Sequence, residues 1–185
     1  MTNVACMADR NQSQLVIVDM QTKLSSVMTD HIADVVKNCA ILLQSAALLE
    51  IPTIFTEQYP KGLGPTVPEL SLYLAGKKPV EKTSFSCCGE PAFNRQLLGD
   101  HQQVVLAGME AHICLLQTAL DLLTQGKVVF VLEDAVISRN PEKKRNALNR
   151  MREAGVIISN TESLVFEWLG VAEGDAFKKI SQLVR

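Results

Sequence analysis

Gln14-Leu-Val-Ile-Val-Asp19 is an unbroken apolar row that ends on a carboxylate. A strand with one wet face alternates apolar and polar residues. A continuous apolar row reads as a strand covered on both faces, the habit of parallel sheets. Outward from it the pattern changes to a helical one over Thr29 to Glu50, where Ile32, Val35, Val36, Cys39, Leu42, Leu43 and Ala46 recur at threes and fours. Ile51 to Thr56 is the next strand, with Pro52 tolerated at its start, and Tyr59 to Pro68 is a loop. Further strands are expected at Lys78 to Thr83, Gln103 to Ala107, Val128 to Leu132 and Val156 to Ser159. Helices are expected at Pro91 to Leu98, Ala111 to Gln125, Pro141 to Ala154, Thr161 to Trp168 and Asp175 to Leu183. Alternation of this kind predicts an α/β fold, a three-layer α/β/α arrangement around a doubly wound, mainly parallel six-stranded sheet. Residues 1–185 read as one domain, with 1–13 as an N-terminal tail.

Composition narrows the function. The chain has 185 residues, 47% hydrophobic and 21% charged, with a formal net charge of −2. That is a globular balance without the basic excess of a nucleic-acid binder. No apolar run is long enough to span a membrane, and Met1 to Gln14 lacks the apolar centre of a secretory leader. The five cysteines, Cys6, Cys39, Cys87, Cys88 and Cys114, are odd in number and follow no zinc spacing. Free thiols in a cytoplasmic setting are the simplest account.

In a doubly wound sheet the ligand crevice lies beyond the carboxyl ends of the strands. That rule picks out Asp19, then Glu57 and Gln58, then Lys82, then Gly108 to Cys114, then Glu133 and Asp134. Asp19 reads equally as a turn residue and as a functional carboxylate, which needs a partner after so apolar a run. Lys82, by position alone, reads as an ordinary surface lysine; its other reading is a partner for Asp19. Cys114 falls in the first turn of a helix, where unpaired N–H groups and the helix dipole favour a thiolate. Its plainer reading is a buried structural thiol, the reading given to Cys39. Cys87 and Cys88 read as loop residues near the site mouth. His112 stands two residues from Cys114 and is a reserve base. Neither Gly62-Leu-Gly64 nor the glycine-free stretch after Asp19 suits a phosphate or dinucleotide, and His31, His101 and His112 make no metal cluster. No cofactor or metal is expected.

Three stretches together carry a family resemblance: Leu15-Val-Ile-Val-Asp19-Met-Gln, Glu81-Lys82-Thr-Ser-Phe-Ser86, and Leu106-Ala-Gly-Met-Glu-Ala-His-Ile-Cys114. From about Leu15 to Trp168 the chain resembles the isochorismatase-like cysteine hydrolases, above all their metal-free members. The resemblance implies a triad of Asp19, Lys82 and Cys114, a non-proline cis peptide at Met109–Glu110 beside the oxyanion site, and a thioester route to a small amide or related C–N compound. Gln58, Tyr59, Phe85, Met109, Glu110 and His112 are the expected pocket and oxyanion residues, with core packing as the other reading of Phe85 and Met109. Thr56 to Gly62 lacks the Asp-x-His…His metal ligands of nicotinamidases. Isochorismatase itself cleaves a vinyl ether without a covalent cysteine, so the resemblance leaves the reaction open. A homo-oligomer, dimer or higher, is implied, with Leu164 to Leu169 serving either an interface or the core. A non-catalytic interaction protein and a redox sensor pairing Cys114 with Cys87 or Cys88 are the alternatives. One geometric condition stands out: two strand spacings separate the first and third strands by about 10 Å, so Lys82 must lean inward to meet Asp19.

Overall fold

The computed structural model describes residues 7–28 and 31–185. Six strands form one sheet: β1 (Ser13–Val18), β2 (Thr53–Gln58), β3 (Val80–Lys82), β4 (Gln103–Met109), β5 (Val128–Ile137) and β6 (Ile157–Ser159). Their order is β3-β2-β1-β4-β5-β6 and every neighbouring pair is parallel. Each crossover needs a covering segment, and helices supply it: α1 (Thr22–Ser25), α2 (Ile32–Leu48), α3 (Pro60–Leu63), α4 (Pro68–Ser71), α5 (Pro91–Gln96), α6 (Leu116–Thr124), α7 (Pro141–Ala154), α8 (Thr161–Leu169) and α9 (Gly174–Leu183).

Strand alternation explains the two cores. Leu15 and Ile17 of β1, Val105 and Ala107 of β4 and Phe130 of β5 face α2, α8 and α9. Val16, Val18, Val104, Leu106 and Val129 face α5, α6 and α7. Trp168 is buried in the first layer, and its indole N–H donates to Ser13 Oγ at 3.0 Å. Of the two readings of Leu164 to Leu169, its apolar side chains Leu164, Val165, Trp168 and Leu169 are core. Ahead of β1, Ala8 is buried and its N–H donates to Glu167.

Two boundaries differ from expectation. The expected helix from Thr29 begins at Ile32, with Thr29 and Asp30 outside the described residues. β5 continues past Leu132 to Ile137, with a bulge in its pairing to β4. Asp134 is therefore no strand-end residue: its carboxylate accepts from the Thr161 N–H and hydroxyl at the start of α8, whose N-cap is Asn160. Glu57 is likewise occupied, accepting from the N–H and hydroxyl of Thr66.

The strand order reverses direction between β1 and β4, which opens the crevice at their carboxyl ends. Gly108 lets the two strands close there. Its φ is +120°, and a Cβ would stand 2.1 Å from Val18 O. We expect Gly108→Ala to cost about 2–3 kcal/mol, from overpacking and a disfavoured backbone together; chemical denaturation reads it directly.

Candidate active site

Three side chains from three elements meet at this crevice. Asp19 follows β1 with φ 50°, a left-handed conformation uncommon outside glycine. Its N–H is held by Thr56 O and Thr56 Oγ1, both at 3.2 Å. Cys114 lies in a π-helical turn, Ala111–Leu115, that feeds α6. Lys82 closes β3, two strands from β1, opposite Gln58 in register. Its side chain crosses the end of β2, so Nζ stands 2.8 Å from Asp19 Oδ2 and 3.5 Å from Cys114 Sγ. The condition on Lys82 is met, and its surface reading is overturned: the residue is 2% exposed. The Met109–Glu110 peptide is cis.

Burial sets the electrostatics. Asp19 and Lys82 side chains are fully inaccessible, so each ion needs the other to offset lost hydration. The ammonium is also caged by Gln58 Oε1 at 2.5 Å, Phe85 O at 3.1 Å and Ser84 O at 3.2 Å. Burial alone would lower its pKa, but the neighbouring Asp19 and Cys114 outweigh that and raise it above the ordinary lysine value. Asp19 Oδ1 accepts from Thr56 Oγ1 at 2.7 Å. Oδ2 lies in ion-pair contact with Lys82, yet the approach is off the hydrogen-bonding direction. A buried carboxylate oxygen is thereby left able to accept a proton.

The resting thiol differs from the sequence reading. Burial, and then the charge of Asp19, push Cys114 up to about 12, and Lys82 offsets only part of this. The first-turn dipole is outweighed, and the resting group is a thiol beside a charged pair. Cys39 is buried core, its thiol near Ala135 O at 3.7 Å, and burial raises it to about 12 as well. Cys87 is buried, and burial and Asp19 push it up to about 12. It therefore lies within the protein and not at the mouth. Cys88 is half-buried. Cys6 lies outside the described residues.

A pH prediction follows from Cys39. The folded thiol keeps its proton to about 12, while an unfolded one releases it near 9.0. Its contribution is full below pH 9 and lost as pH rises toward 12, by about 1.4 kcal/mol per pH unit. Urea unfolding between pH 8 and 11 should show a shallower decline in Cys39→Ala than in the wild type.

A cavity of about 120 Å³ sits over the thiol, lined by Leu24, Gln58, Leu63, Phe85, Glu110, Ile113 and Cys114. Gln58, Phe85 and Glu110 thus stand where expected. Met109 does not: strand alternation continues from Ala107 and sends it into the α2–α8 core. His112 turns away from Cys114, because residues two apart on a helix do not share a face. Its Nδ1 meets Ser138 Oγ at 2.9 Å, and it lines a separate hollow with Lys143 and Arg150. Tyr59 is exposed and borders a neighbouring hollow with Glu81 and Glu90. The Glu110 carboxylate accepts from the backbone N–H and Nε of Arg139. A larger groove of about 510 Å³ between α2 and α9 is lined by Leu43, Leu48 and Leu183 and holds none of the three converging residues. Chemistry, not size, locates the site. Among the described residues no group of three or more His, Cys, Asp or Glu side chains converges to hold a metal, and no helix is long and apolar enough to cross a membrane.

Two neighbours escaped the sequence reading. Thr56 closes the strand expected at Ile51 to Thr56, and no sequence feature marks its face. Arg139 was hidden by the early end assigned to β5.

Residues 13–163 match the model of the isochorismatase domain. The chain is 44% identical to isochorismatase domain-containing protein 2 of Danio rerio over 173 residues, 93% of this chain and 86% of that protein. The structure of the MAR1 ribonuclease of Caenorhabditis elegans superposes with a TM-score of 0.90 at 38% identity, covering 96% of this chain and 92% of that one. YcaC of Pseudomonas aeruginosa, solved with hexane-2,5-diol and covalent acrylamide, gives 0.89 at 26% identity, covering 99% and 93%.

Proposed function

The chain belongs to the isochorismatase family of hydrolases, and from that premise we propose that it is a cofactor-independent cysteine hydrolase of small amides and related C–N compounds. The observation that carries the proposal is the meeting of Asp19, Lys82 and Cys114 beneath a small cavity walled by Leu24, Leu63, Phe85 and Ile113. That cavity, about 120 Å³ and open to solvent on one side, suits a small acyl group over the thiol with the leaving group directed outward. Acrylamide, covalent in the Pseudomonas structure, is an electrophile to which nucleophiles add through its alkene, and it supports a reactive nucleophile on this fold.

The reaction begins with the amide carbonyl turned toward the start of the Ala111–Leu115 turn, where the Ile113 and Leu115 N–H groups donate to Glu110 O and the other N–H groups are left to face the oxyanion. Asp19 takes the thiol proton through Oδ2 as Sγ attacks the carbonyl carbon. Lys82 stays charged throughout and balances the two anionic partners in turn. The tetrahedral adduct collapses, the proton passes from Asp19 to the leaving nitrogen, and ammonia or an amine departs. Water then attacks the thioester, gives its proton to Asp19, and the acid leaves as the thiol re-forms. The high resting thiol pKa fits this order, in which the proton moves with the attack and not before it.

All three residues are retained and assembled, which favours catalysis over a purely interacting protein. A redox role needs a ready thiolate, whereas burial raises Cys114, Cys87 and Cys88 alike. The free thiols support a reducing, cytoplasmic setting. The resemblance to this family implies a homo-oligomer, dimer or higher, which belongs to the same proposal. The ribonuclease name belongs to the Caenorhabditis protein; among the described residues, the lining of the cavity here includes no cationic side chain for a phosphate. The test is acid-quenched intact mass spectrometry on a panel of short neutral amides. An acyl adduct on Cys114, absent from Cys114→Ala, is expected. Turnover without any adduct, unchanged in Cys114→Ala, would remove the proposal.

A further inference from the structure

We infer that Thr56 is the positioning residue that decides which oxygen of Asp19 serves as the base, an inference that rests on the reading of Asp19 as that base. Thr56 is 1% exposed and stands on β2 directly beside the end of β1. Its hydroxyl does two things at once. It donates to Asp19 Oδ1 at 2.7 Å, and it accepts the Asp19 backbone N–H at 3.2 Å. The Thr56 carbonyl accepts the same N–H at 3.2 Å. Backbone and carboxylate of one residue are thus pinned by one neighbour, at a position whose φ of 50° few side chains adopt without support.

The consequence is directional. A hydroxyl has a single proton to donate, and here it is spent on Oδ1. The carboxylate cannot turn about its terminal bond without losing that hydrogen bond, so Oδ2 stays toward Lys82 and Cys114. Without the hydroxyl, the carboxylate is free to swing and engage the ammonium with both oxygens. That arrangement satisfies the ion pair and presents no spare oxygen to the thiol or to water. The titratable groups around Asp19 are Lys82 from β3, Cys114 from the turn before α6, and Cys87 from the turn after β3.

The probe is 4-nitrophenyl acetate. Asp19 takes the thiol proton as Sγ attacks the ester carbonyl, the acyl–oxygen bond breaks, nitrophenolate leaves and Asp19 returns that proton to solvent; water then attacks the acetyl thioester and gives its proton to Asp19, from which it passes to Sγ as acetic acid leaves. Steady-state release is followed from pH 5 to 9 for wild type, Thr56→Val, Thr56→Ser and Cys114→Ala. Thr56→Val keeps the shape and deletes the hydroxyl. Its turnover should fall by about 10- to 100-fold. Thr56→Ser, which returns the hydroxyl and removes a methyl, should restore turnover to near wild type. A residue that merely fills space would give the opposite order, with Thr56→Val active and Thr56→Ser impaired. Wild-type turnover in folded Thr56→Val would overturn the inference. Undiminished turnover in Cys114→Ala would instead overturn the hydrolase reading beneath it, so the two failures are told apart.

Discussion

Asp19→Asn should stall the enzyme after a single acylation while making its cysteine more reactive. The two effects come from one charge. In the resting protein, burial and then Asp19 hold the Cys114 thiol at about 12, with Lys82 pulling the other way. Removing the carboxylate charge leaves Lys82, 3.5 Å from Sγ, as the dominant ion at the sulfur. The thiol pKa then falls toward its ordinary value, and each unit of fall raises the thiolate fraction at neutral pH about tenfold. Iodoacetamide should label Cys114 at least tenfold faster in the variant at pH 7.5. Deacylation, by contrast, needs a base for water, and loss of a general base typically costs about 10²–10⁴-fold. With 4-nitrophenyl acetate the variant should give a full burst and then a steady rate about a thousandfold below wild type. Faster labelling with slower turnover separates a general base from a residue that only keeps the thiol in place. Slower labelling would mean that Asp19 is not the group that holds the thiol protonated.

Lys82→Met should be the most destabilising of the single substitutions discussed. Methionine replaces the stem of the lysine and deletes its charge. Asp19, with no solvent access, is left with Thr56 as its remaining hydrogen-bonding side chain. Breaking a buried pair by removing one member costs about 3–5 kcal/mol, which for a chain of this size lowers the midpoint by roughly 10 °C. Asp19→Asn should cost less. The stranded ammonium keeps Gln58 Oε1 and the carbonyls of Ser84 and Phe85. The double variant Asp19→Asn with Lys82→Met should recover part of the loss, since it buries neither charge. That non-additivity, read by calorimetry across the four proteins, is the signature of direct coupling. Additive losses would contradict it.

What the sequence disclosed follows from the kind of signal each feature leaves. The unbroken row Leu15 to Val18 announces a two-sided strand because no alternative use of four consecutive apolar residues is as economical. Asp19 after it, and Cys114 after the strand at Leu106, were locatable by the strand-end rule alone. The same rule picks out Lys82, but its position reads as surface, and only the reach of its side chain across β2 buries it. The extension of β5 to Ile137 was masked by Glu133 and Asp134, whose charges read as a strand end although Asp134 accepts from Thr161 at the start of α8. The protonation of Cys114 was misread because a helix terminus is a local feature, whereas burial and the charge of Asp19 come from the tertiary fold. Thr56 left no signal, since its work depends on which neighbour β2 receives. His112 adjoins Cys114 in sequence but faces Ser138 in space.

The most direct test of the central claim is ammonia release from short neutral primary amides by wild type, Cys114→Ala and Cys39→Ala. Cys39→Ala should release ammonia at the wild-type rate, because that thiol is remote core, and Cys114→Ala should release none above background. Equal release by Cys114→Ala and wild type would contradict the assignment of Cys114 as nucleophile.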